Sequence, residues 1–205
     1  MTFAEALPLA FVMIAGPQIL SAIFLATSED WGRNSAAFVA GAGLSITTVV
    51  TIAFLLSTGA SNGGASHNTL DVIFLVLLLA AGLHTYLTRK TSKPPKWMGK
   101  LEDAKPKGSF RLGFLLLGVF PTDILTSFAV GGSIARNGDS WWQLLPFVLL
   151  VMLLVALPSL LIIALGQRGR TLLPKVRDWM NDNSWVISEA VIVLFVIIIA
   201  NGLSS

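Results

Sequence analysis

The feature that most limits what this chain can fold into is its series of long apolar stretches. Six segments, at about 4–26, 35–58, 70–88, 110–134, 142–166 and 185–203, come close to the roughly 20 residues a helix needs to cross about 30 Å of hydrocarbon. Polar breaks separate them. Ser28 to Asn34 is short, Ser61 to Asn68 is rich in small polar residues, and Arg89 to Ser109 is long and Lys-rich. Only 12% of the chain is charged, where a soluble domain carries about a quarter. Charge that sparse cannot solvate a globule, but it suits a surface that lipid covers. The expected fold is an all-α integral membrane protein with six transmembrane helices. No Lys or Arg precedes the first apolar stretch, so that stretch reads as a retained helix rather than a cleaved secretory signal.

Orientation follows from where the basic residues fall. With both termini outside, the cytoplasmic loops hold Arg33, the run Arg89, Lys90, Lys93, Lys96, Lys100, Lys105, Lys107 and Arg111, and then Arg168, Arg170, Lys175 and Arg177. Of the 14 Lys and Arg residues, that leaves only Arg136 outside. The net charge of +3 therefore reports on topology, and no nucleic-acid partner is expected. The tryptophans agree: Trp31, Trp97, Trp141, Trp142, Trp179 and Trp185 all fall in loops or at span ends, where an indole prefers the headgroup layer. In the fifth loop, Leu172, Leu173, Val176, Trp179 and Met180 recur at helical spacing. An amphipathic interfacial helix is expected over 171–181, capped by Thr171 and with Pro174 in its first turn. Pro95 to Leu101 carries a weaker version of the same pattern.

Cutting at the basic linker 89–109 leaves residues 1–88 and 110–205, with three spans each. The first spans of the two halves resemble each other. Gly16-Pro-Gln-Ile-Leu-Ser-Ala22 stands against Phe120-Pro-Thr-Asp-Ile-Leu-Thr-Ser127. Each has a proline in mid-span, then a polar residue, then Ile-Leu and a small hydroxyl residue. An odd number of spans per half makes the second half inverted relative to the first, a recurrent plan in secondary transporters. Pro17 and Pro121 lack an N–H, so the carbonyls of Met13 and Leu117 should be freed within the membrane at two kinks. Such groups persist there only in a protein interior or a wet cavity.

Asp123 is the most informative residue. A carboxylate near the centre of a span costs at least about 2.5 kcal/mol, and no Lys or Arg lies near the middle of another span. It must be protonated, hydrated or hydrogen-bonded to neighbours, for which Gln18, Thr122, Thr126 and the freed carbonyls are candidates; proton coupling is open to it. A hydrogen-bonded packing residue is the blander alternative, and for Gln18 an interhelical amide is as common as a ligand. Glu189 and His84 lie near span ends and read as interfacial. Ala37, Gly41 and Ser45, beside Gly43, form a small-residue stripe that suits close helix packing, whether with another span or with a second copy in a homodimer.

The absence of cysteine excludes disulfides, thiolate metal sites and dithiol relays. Asp123 alone cannot hold a metal, no His or Lys is placed to activate a serine, and no nucleotide-binding loop occurs. Neither an enzyme nor a cofactor is expected. A carrier or a membrane assembly factor remains.

Several motifs are familiar. Gly16-Pro-Gln-Ile-Leu20, Gly32-Arg-Asn34, Ala37-Phe-Val-Ala-Gly41, Pro94-Pro-Lys-Trp-Met98, Phe110-Arg-Leu-Gly-Phe114, Phe120-Pro-Thr-Asp-Ile-Leu125 and Ala129-Val-Gly-Gly132 resemble the GAP (peptidoglycolipid-addressing protein) family of the lysine exporter superfamily over nearly the whole chain. Many relatives have Asn before the second proline, where this chain has Phe120. The resemblance implies three plus three inverted helices, location in the inner membrane of an actinobacterium, and export of envelope glycolipids. The expected substrate or translocation site comprises Pro17, Gln18, Ser21, Pro121, Thr122, Asp123 and Thr126, with membrane lipids and the transported lipid as partners. The alternatives are an exporter of amino acids or similar small solutes, as in the wider superfamily, and a non-transporting scaffold for envelope assembly.

Overall fold

The structure, a computed structural model, describes residues 3–62, 101 and 103–183. Its elements are all helical among the described residues. In order they are α1 (Phe3–Ile14), α2 (Pro17–Ala26), α3 (Trp31–Asn62), α4 (Pro106–Val119), α5 (Pro121–Arg136), a 3-10 turn at Trp141–Leu144, α6 (Leu145–Leu165) and α7 (Gln167–Asp182). Among the described residues two helices are long and apolar enough to cross a membrane, Trp31–Gly59 and Trp141–Leu165. Two bent pairs pass the same test, for up to four spans. The expected spans 70–88 and 185–203 lie outside the described residues, as do His84, Glu189 and the pattern at Pro95.

The first and fourth spans differ from expectation in one respect. Neither is a single kinked helix: α1 and α2 meet at 70°, and α4 and α5 at 65°. Each proline opens a new helix instead of bending an old one. The first N–H groups of any helix have no partner within it, so a proline at the first position forfeits nothing. The two breaks are made differently. Gly16 has φ 119° and ψ −137°, a conformation closed to residues with a Cβ. Phe120 has φ −66° and ψ 131°, the extended geometry that any residue before proline favours.

Each unbroken span backs a broken one. Helix α3 packs along both α4 and α5, while α6 packs along both α1 and α2. The small-residue stripe serves the first of these contacts. A Cβ on Gly41 would fall on the carbonyl of Phe110, and one on Gly113 would fall on the carbonyl of Phe38. A Cβ on Gly118 would meet Ser45 Oγ, and Gly43 faces Met152 on α6. The stripe is thus covered by helices of the same chain, and a second copy would have to displace α4 to use it.

The basic segments gather at one end of the molecule. Asn34 is fully buried and ties two of them, the first loop and the linker, together. Its Nδ2 donates to Ser28 Oγ at 2.9 Å and to the carbonyl of Ala104 at 2.9 Å, and its Oδ1 accepts from Ser109 Oγ at 3.3 Å. Helix α7 joins the same end: Leu173 packs with Ile23 and Ala26 of α2 and Ile162 of α6, flanked by Trp31 and Met180. It starts earlier than expected, straight after Gly166 (φ 55°), which turns the chain out of α6. Pro174 therefore lies inside the helix, and Thr171 donates to the carbonyl of Arg168 at 3.0 Å instead of capping a start. The proline is tolerated because the carbonyl it leaves unbonded belongs to exposed Arg170. At the other end, Trp141 Nε1 donates to Thr51 Oγ1 at 3.0 Å.

Candidate functional site

The site lies where the two breaks meet. Gln18 is the second residue of α2 and Asp123 the third of α5, so each side chain sits within one turn of its break. Helix α1 packs against α5, and α2 against α4, which brings the breaks together. Gln18 Nε2 donates to Asp123 Oδ2 at 2.8 Å, joining residues 105 positions apart. Gln18 is 1% exposed and Asp123 0%. An amide can donate to a carboxylate but cannot neutralise it. No Lys or Arg lies near the middle of any described span to do so.

The other expected site residues fall into two groups. Ser21 is one turn beyond Gln18, fully buried, and its hydroxyl has no hydrogen-bond partner among the described residues. Thr122 is exposed beside the buried acid, and its Oγ1 lies 3.4 Å from Asp123 Oδ1, a long and weak donation. Pro17 is half-buried and, like Pro121, serves the site by starting its helix. Thr126 does not reach the carboxylate: it donates to the carbonyl of Thr122 at 2.8 Å, because a helical threonine finds the carbonyl four residues back most readily.

Ser127 belongs with the site and was not expected there. It is fully buried, one turn beyond Asp123 on the same helix face, and its Oγ has no partner among the described residues. The four-residue spacing from Asp123 is the signal that finds it. Gln18 Oε1 is likewise buried and without a donor among the described residues. It lies 3.5 Å from the point where a Cβ on Gly16 would stand, so it faces the first break. Buried polar atoms left unpaired in this way are uncommon and point to something that occupies the space beside them.

The breaks also set the local field. A helix carries partial positive charge at its first N–H groups and partial negative charge at its last carbonyls. Each break places one end of each kind side by side. Neither α2 nor α5 has a side-chain cap, and although Asp123 N–H donates to the carbonyl of Phe120 at 3.0 Å, the N–H groups of Gln18, Ile19 and Thr122 in the first turns are left to a ligand. Met13 and Leu117 lie in the last turns of α1 and α4, and both are wholly buried; four residues on from each stands a proline, so no helical N–H reaches their carbonyls. The arrangement can therefore address a negative group from the helix starts and a positive one from the helix ends.

On the basic end, α7 exposes Leu172, Val176 and Trp179 beside Lys175. Arg177 stands over the ring of Phe24 on α2, 4.9 Å from its centroid, and pairs with Asp178 at 3.0 Å. Helix α7 is thereby fastened to the half-helix that carries Gln18.

Comparison with known proteins bears on the chain as a whole. A family model described as Sap, sulfolipid-1-addressing protein, matches residues 6–204. No curated protein and no solved structure matches the chain.

Proposed function

The chain belongs to the sulfolipid-1-addressing protein family, and from that premise we propose that it is a membrane carrier moving an anionic glycolipid of the cell envelope outward. The observation that supports this most is the hydrogen bond between Gln18 and Asp123 at the junction of two broken helices. A sulfated headgroup carries a permanent negative charge, and the uncapped starts of α2 and α5 are the ends of a helix that receive anions. The exposed apolar and basic residues of α7 would hold that helix in the headgroup layer on the loading side, where anionic lipid collects.

The packing also supports an inverted repeat of three spans per half. Exchanging α1 with α4, α2 with α5 and α3 with α6 turns the contact of α1 with α5 into that of α4 with α2. It also turns the backing of α4–α5 by α3 into the backing of α1–α2 by α6. In this reading the third and sixth spans complete the two halves, and alternating access is a rocking of one against the other.

The test is translocation of a fluorescent sulfated glycolipid between the leaflets of proteoliposomes, with efflux of amino acids measured alongside. Asp123→Asn is expected to abolish lipid movement and Gln18→Ala to slow it several-fold. Gly59→Ala, where nothing among the described residues lies within 4 Å, should leave it unchanged. Amino-acid efflux without lipid movement would shift the assignment to a small-solute exporter. Lipid movement untouched by Asp123→Asn would remove the site.

A further inference from the structure

An anionic headgroup and a buried carboxylate repel each other, so a carrier built on these breaks has a charge to balance. Taking the carrier reading as its basis, we propose that the paired breaks also bind a dehydrated monovalent metal cation of the sodium type. Its ligands are the Asp123 carboxylate, Gln18 Oε1 and the carbonyls of Met13 and Leu117.

The oxygens decide between a metal ion and a proton. Asp123 is fully buried and has one good donor among the described residues, the Gln18 amide at 2.8 Å. Because that amide turns its NH2 toward the carboxylate, its Oε1 is left buried without a donor among the described residues, facing the first break. The carbonyls of Met13 and Leu117 have prolines where their donors would be. Acceptors are thus in surplus at the junction. A proton on Asp123 would cancel its charge, yet it would leave Gln18 Oε1 and both carbonyls as they were. A metal cation cancels the charge and satisfies the acceptors together.

The donor set suits such an ion. Every candidate ligand is a hard oxygen, and the one full negative charge matches a single positive one. The carbonyl ends of α1 and α4 add partial negative charge from the helix dipoles. Unwound carbonyls and half-helix ends are what membrane carriers use for such ions. Ser21 and Ser127, whose buried hydroxyls lack partners among the described residues, flank the same junction and can serve as further oxygen ligands. The cation would occupy the carbonyl side of each break and leave the N–H side to the headgroup.

The experiment uses the purified full chain in nanodiscs of zwitterionic lipid, with no glycolipid present. Binding of radioactive sodium is measured with potassium and choline as competitors and across a pH range. Saturable binding is expected, displaced by excess unlabelled sodium but not by choline. It should be lost in Asp123→Asn and weakened at least about tenfold in Gln18→Leu, a ligand's worth of about 1.4 kcal/mol. Gly59→Ala should bind as the parent does. Should Asp123→Asn fail to fold, Ser127→Ala reports instead, with several-fold weaker binding expected. Absence of saturable binding in the folded parent overturns the site, as does binding that survives Asp123→Asn. Stabilisation that follows pH and ignores sodium assigns the charge balance to a proton and overturns it equally. Sodium binding without glycolipid movement would keep the ion site and discard the carrier. Glycolipid movement with no sodium binding would do the reverse.

Discussion

The two broken helices reach the same shape by different means. The first break depends on backbone chemistry: Gly16 adopts φ 119°, and no side chain braces it closely. The second uses a conformation open to most residues, and what holds it is packing. Glycines at 113, 118 and 131 let α4 and α5 lie almost backbone to backbone against α3. The first break thus carries its own constraint, whereas the second borrows its constraint from a neighbour. The polar residues divide in the same way. The self-constrained break carries the neutral amide, and the braced one carries the acid, whose position the site can least afford to lose.

This contrast is sharpened first at the brace. In Gly113→Ala the new methyl meets the backbone of Phe38, which cannot move aside as a flexible side chain would. Overpacking of this kind costs about 1–3 kcal/mol and sometimes more, so thermal unfolding in nanodiscs should show the largest loss here. Next comes Gly16→Ala. It forces a Cβ into a glycine-only region, at about 1–3 kcal/mol, while Phe120→Leu should leave the second break intact because its backbone geometry is ordinary. A Gly16→Ala protein as stable as Phe120→Leu would break the comparison.

Much of this was legible in the sequence. Two long apolar helices, Trp31–Gly59 and Trp141–Leu165, fall where apolar length places two of the expected spans, and the two prolines, Gln18 and Asp123 mark the junction because each is expensive in lipid. The form of the breaks was less legible. A glycine before a proline reads equally as relief for a kink or as a hinge at φ 119°, and only the backbone decides. The Asn34 network escaped because it joins residues up to 75 positions apart with no periodic trace. Ser127 does not stand out in the sequence because a hydroxyl near a span centre more often bonds its own helix, as Thr126 does. The early start of α7 leaves no mark in the sequence because Thr171 and Pro174 together have the form of a helix start. The expected third and sixth spans and residues 89–100 and 102 of the linker lie outside the described residues.

The meeting of amide and carboxylate across the two breaks is open to a double-mutant cycle on thermal stability in nanodiscs, built from Gln18→Leu and Asp123→Leu. Gln18→Leu alone leaves a buried carboxylate without its main donor, at about 1–3 kcal/mol. With Asp123→Leu also present, most of that loss should vanish, giving a coupling of at least about 1 kcal/mol. Changes that simply add, within about 0.5 kcal/mol, would mean that the two side chains do not touch, and the junction would not be a site.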